Sequence, residues 1–184
     1  ALPNVMVFFT PEEIAIAEPL VDLLLEQDGE PRIPVLAMID ARLAGGETDG
    51  WHYDDLPEDG AAWRTSLAAL DDDARARFQK GFGELEPSLQ AALMQALQDV
   101  SQRGEHWHGY PAKHVWSLWT RYACAAFYSH PWSWNEIGFG GPAYPRGFMR
   151  LGGPGADGAA VREPFEKPGA TDEDPVQVVD TWQS

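Results

Sequence analysis

The chain has 184 residues and sets 13 Lys and Arg against 29 Asp and Glu, a formal charge of −16. That balance repels phosphate backbones and anionic lipid within the Debye length, so nucleic acid and acidic membrane surfaces are poor partners. The single cysteine, Cys124, excludes an internal disulfide, haem attachment through Cys-x-x-Cys-His and an Fe–S cluster held by this chain alone.

No run approaches the roughly 18 apolar residues of a spanning helix. Ala1 is followed by no basic n-region and apolar h-region, and a start without Met fits a removed leader as well as a chain that begins here. The length suits one core hiding roughly 70% of the unfolded surface, which predicts one domain plus a tail.

Thr10-Pro11-Glu12-Glu13 supplies an N-cap hydroxyl, a proline at the first helical position and a Glu that closes a capping box, so a helix starts at Pro11. Ile14, Ala17, Val21, Leu24 and Leu25 form its apolar stripe, Pro19 bends it, and it ends near Gly29. A second helix, Pro34 to Leu43, carries Leu36 and Ile39 and stops at Gly45-Gly46. Residues 47–60 read as a polar connector pinned by Trp51 and Tyr53. Helix resumes near Ala61 with Trp63, Leu67 and Leu70 inward. Asp71-Asp72-Asp73 then reads as the cap and first turn of a separate short helix ending at Phe78; the ligand spacing of a Ca²⁺ loop is absent.

Pro87 opens a clean helix with Leu89, Leu93, Ala96, Leu97 and Val100 on its core face and Gly104 beyond its end. In the following Glu105-His106-Trp107-His108, two histidines one residue apart on extended chain point the same way. With His114 or Glu105 as third ligand they outline a metal site, against the alternative of a Trp-anchored loop with solvated histidines. A last, strongly apolar helix runs from Pro111 to Tyr128 with Val115, Leu118, Trp119, Tyr122 and Ala126 on one side. Cys124, set among alanines, reads there as a small buried thiol.

Residues 127–150 follow. Four glycines and three prolines between Pro131 and Gly147 predict irregular chain, while Phe127, Tyr128, Trp132, Trp134, Phe139, Tyr144 and Phe148 give it more ring area than a solvated connector carries. Either the segment folds over its own helices or another protein covers it. Trp132, Trp134, Tyr144 and Arg146 are of the residue types that dominate interface hot spots. Residues 151–184 read as a glycine-rich linker and an acidic tail. The expected fold is all-α: a helical domain of about five to six helices with long irregular connections over residues 1–150, including the docking segment 127–150, then the extended C-terminal tail.

Catalytic signatures are weak. A Ser129 or Ser133, His130 and Glu136 or Asp72 triad lacks the Gly-x-Ser-x-Gly elbow, and the glycine run at 138–141 is followed by Pro142, which lacks an amide donor for phosphate. The stretch Phe-Tyr-Ser-His-Pro-Trp-Ser-Trp-Asn-Glu-Ile-Gly-Phe-Gly-Gly-Pro-Ala-Tyr-Pro-Arg-Gly, residues 127–147, together with the Phe-Phe-Thr-Pro-Glu-Glu opening, closely resembles the gluconate 2-dehydrogenase subunit 3 family over about residues 7–150.

The resemblance implies a small subunit without cofactor or catalytic residues of its own. It would accompany a large FAD-dependent flavoprotein of the glucose-methanol-choline class, often with a cytochrome c as electron acceptor. It further implies export to the periplasm or cell envelope by a twin-arginine leader, the small subunit stabilising and helping to mature or export its partner. The positions it marks as partner-binding are His130, Pro131, Trp132, Asn135, Glu136, Gly138, Gly140, Gly141, Pro142, Tyr144, Pro145, Arg146 and Gly147, to which Trp134 is added on its chemistry. The rival expectation is a stand-alone metal-dependent enzyme built on His106, His108 and His114.

Overall fold

The computed structural model describes residues 6–27, 29 and 32–136. It divides after Ala126 into two compact units. Among the described residues lie α1 (Pro11–Leu25), α2 (Val35–Ala44), α3 (Asp59–Phe78), a 3₁₀ turn (Phe82–Glu84), α4 (Pro87–Gln102), a two-stranded ladder of β1 (His106–Trp107) and β2 (Tyr110–Pro111), α5 (Ala112–Ser129) and α6 (Pro131–Glu136). The all-α expectation holds.

The capping box at Thr10 is formed: the Glu13 N–H donates to Thr10 Oγ1 at 3.3 Å and the Thr10 N–H to Glu13 Oε2 at 2.9 Å. This joins two otherwise orphaned donors to acceptors at the helix start. α1 runs through Pro19 and ends at Leu25, earlier than Gly29, because Glu26 turns left-handed (φ 52°) and its N–H closes on the Asp22 carbonyl.

Two corrections concern α3 and α5. Asp71–Asp73 start no new helix; α3 is continuous for 20 residues. Its buried stripe of Trp63, Ser66, Leu67, Leu70 and Ala74 crosses the supposed break without interruption. The aspartates bond away from their own backbone: Asp71 Oδ1 accepts the Phe82 N–H at 2.7 Å and Asp73 Oδ2 the Trp107 indole N–H at 2.8 Å. Cys124, expected inside, is exposed. The buried arc of α5 is set by Val115, Leu118, Trp119, Tyr122 and Ala123, and the helical step past Ala123 carries Cys124 off it.

The core of the first unit holds two sets of ring contacts. Phe9 meets Trp63 edge-on at 5.8 Å, Trp63 meets Tyr122 at 6.0 Å, and Trp107 meets Trp119 at 5.9 Å. Trp63 and Trp119 are both 0% exposed, and the Trp119 indole N–H donates to Ser66 Oγ at 2.9 Å. The strap ahead of α1 is held by α2. The carboxylate of Asp40, itself 1% exposed, accepts the N–H groups of Val7 (2.7 Å), Phe8 (3.0 Å) and Phe9 (2.8 Å). Three amide donors on one carboxylate replace the water that burial removes.

Candidate functional site

The expected irregular docking segment is helical where it is described, which corrects the expectation from its prolines and glycines. α5 continues to Ser129, and Pro131 stands at the first position of α6, where a missing N–H is harmless and a fixed φ favours the helix. The first glycine of the run, Gly138, lies beyond it.

His130 makes the corner. Its N–H donates to the Phe127 carbonyl at 3.1 Å, and its own carbonyl accepts both the N–H (3.1 Å) and the hydroxyl (2.8 Å) of Ser133. Its ring Nδ1 accepts the Trp132 N–H at 3.2 Å, and the two rings meet edge-on at 5.1 Å. The Trp134 indole N–H donates to the Tyr128 carbonyl at 2.7 Å, tying α6 back to the end of α5. Burial pushes the His130 imidazole below the usual histidine range. Ser133, 0% exposed, bonds the backbone of His130 and not its ring, so these two do not form a nucleophile and base pair.

Of the expected docking residues, His130, Pro131, Trp132 and Trp134 therefore share one helical corner. Tyr128 beside them leaves 51% of its surface exposed. Asn135 and Glu136 complete α6. Gly138, Gly140, Gly141, Pro142, Tyr144, Pro145, Arg146 and Gly147 lie outside the described residues.

The histidines of the metal reading are not brought together. His108 and Gly109 both take positive φ (47° and 87°), the backbone of a tight hairpin turn, so His106 and His108 do not alternate along one extended strand. His108 Nε2 sits 2.9 Å from Asp73 Oδ1. His114 stacks on Tyr53 (3.7 Å between centroids) with Nδ1 2.7 Å from Asp55 Oδ1. Each of these two has its own carboxylate, and among the described residues no three metal-ligating side chains converge.

One cluster escaped the sequence reading. Asp59, at the start of α3 and 4% exposed, accepts the Tyr122 hydroxyl at 2.7 Å and faces Arg121 at 3.4 Å. Arg121 and Arg42 both reach Asp49, and the Arg121 guanidinium lies 4.7 Å over the Trp51 ring. Burial, then the hydrogen bond to Asp59, pushes the Tyr122 phenol above its ordinary range, so it stays a protonated donor. Burial raises the Asp49 carboxyl, but the Arg42 hydrogen bond and the Arg121 charge outweigh it and hold the group below its usual value. Two cations alternating with two carboxylates, the guanidinium groups lying over the Trp51 and Tyr122 rings, bind the 47–58 connector to α2, α3 and α5. Tyr122 and Asp59 lie 63 positions apart, and no local pattern signals the pairing.

The described residues of the first unit thus form a helical domain held by ring contacts and by ion pairs among its own side chains, and those of the second unit form a short aromatic corner. A family model described as gluconate 2-dehydrogenase subunit 3 matches residues 11–141. The chain belongs to the gluconate 2-dehydrogenase subunit 3 family. It is accordingly a small subunit of a gluconate 2-dehydrogenase-type complex, working beside a catalytic partner. No curated protein and no solved structure matches it significantly. Among the described residues no helix is long and apolar enough to cross a membrane.

Proposed function

We propose that this chain is the non-catalytic small subunit of an FAD-dependent sugar, sugar-acid or alcohol dehydrogenase, stabilising its flavoprotein large subunit and helping to mature or export it. The observation that carries the reading is the reach of the family match, which extends from α1 to residue 141 and so takes in the aromatic corner. A subunit that binds only the folded large chain stabilises it by mass action. In this proposal the flavin sits on the partner, a flavoprotein of the glucose-methanol-choline class. A cytochrome c as acceptor, a periplasmic or envelope location and a twin-arginine leader complete the proposal. The docking surface is the segment His130–Gly147, with Trp132, Trp134, Tyr144 and Arg146 as anchors.

Affinity capture of the native complex followed by its absorption spectrum tests this, with flavin bands expected in the captured material. Trp132→Ala or Arg146→Ala should weaken assembly by about 2 kcal/mol or more if these are hot spots. Undiminished co-purification of both variants would remove the docking assignment. Captured material without flavin would remove the partner's class.

A further inference from the structure

The corner between α5 and α6 depends on a bare imidazole nitrogen. The Trp132 N–H points at His130 Nδ1 at 3.2 Å, which requires that nitrogen to be unprotonated and places the ring proton on Nε2. Trp132 is the second residue of α6, so His130 acts as its N-cap, satisfying one of the donors that a helix start leaves without a carbonyl. A second proton would turn Nδ1 into a donor facing a donor and would put a positive charge beside the positive end of the short helix.

We propose that His130 is a proton-sensitive cap of α6: the neutral ring holds the docking corner in shape, and protonation of the ring releases it and weakens partner binding. This rests on the docking role proposed above. The position of Trp132 in the corner hangs on that same bond, through the ring contact at 5.1 Å as well as the amide. Tyr128 on α5 and Glu136 on α6 are the other titratable residues of positions 127–136. The downward shift of the imidazole has burial as its cause. With the folded value lowered, the cap's contribution is complete above the ordinary histidine value of about 6.5 and is lost as pH falls from there toward the lowered value.

The test uses the full chain, isotope-labelled and isolated, between pH 8 and pH 5. The His130 ring is followed by NMR together with the exchange protection factor of the Trp132 amide, in the natural chain and in His130→Asn, whose cap does not titrate. Protection of Trp132 is expected to fall about fivefold or more as His130 protonates and to stay flat in the variant. His130→Ser, a second non-titrating cap, replaces the Asn variant if circular dichroism shows the latter unfolded. Capture of the large subunit at pH 8 and pH 5.5 is expected to drop in acid for the natural chain only. Protection that ignores the titration, or that falls equally in the variant, overturns the proposal. Capture of no partner at either pH overturns the docking reading, and the cap is then decided by the amide data alone.

Discussion

Gly83→Ala is the sharpest perturbation the fold offers. The 3₁₀ turn Phe82–Glu84 packs against α1 so closely that a Cβ on Gly83 would lie 2.1 Å from the Ala15 carbonyl oxygen and 3.0 Å from its carbon. An ordinary contact needs at least about 1 Å more, and the obstacle is backbone inside a helix, not the end of a flexible side chain. The turn cannot simply retreat. The Phe82 N–H is held by Asp71, the Gly81 N–H by Glu84 at 2.8 Å, and the Phe82 carbonyl accepts the Gln90 amide at 2.9 Å, with the Phe82 ring 0% exposed. Overpacking of a fixed contact typically costs 1–3 kcal/mol, and the upper end, about 3 kcal/mol, applies where both sides are backbone. Gly45→Ala is the control, since its added Cβ would meet nothing nearer than 3.4 Å and its φ is −75°. Urea denaturation of both variants, followed by far-ultraviolet circular dichroism, should place the Gly83 midpoint well below the control. Matching midpoints would refute the packing of the turn on α1.

Two further perturbations address buried carboxylates. Asp40→Ala removes the common acceptor of three amide donors; it should cost about 2 kcal/mol, with amide exchange rising at Val7–Phe9 first, and unchanged protection there would dismiss the strap. Tyr122→Phe leaves the buried Asp59 carboxylate with Arg121 at 3.4 Å. It should destabilise the chain by about 2 kcal/mol, and a double-mutant cycle with Asp59→Asn should show coupling; additive single effects would mean that the bond contributes nothing.

What the sequence reveals here is what short-range rules control. Thr10, Pro11 and Glu13 announce α1, Pro87 announces α4, and Gly45-Gly46 ends α2, because caps and breakers act within one helical turn. The misreadings have a common physical source. Asp71–Asp73 carry the residue types of a cap, yet their oxygens serve Phe82 and Trp107, 11 and 34 positions away. Pro131 carries the residue type of a breaker, yet at the first position of α6 it is a starter. The hairpin at His108-Gly109 offers only two residues per strand, too few for alternation to register. Asp40, Gly83 and the Asp59–Tyr122 pair depend on tertiary contacts that a single sequence does not encode locally.

The division of labour between the two units bears on how the subunit recognises its partner. In the first unit Arg32, Arg42, Arg64, Arg75, Arg103 and Arg121 each meet a carboxylate of the same unit, and the aromatic core is closed between helices. Those groups already have partners, so their loss would appear first as loss of stability. Within 127–136 several bonds are local: Phe127 to His130, His130 to Trp132 and Ser133, Tyr128 to Trp134. Local bonds of this kind lower the conformational freedom that a docking element of the proposed kind would lose on binding.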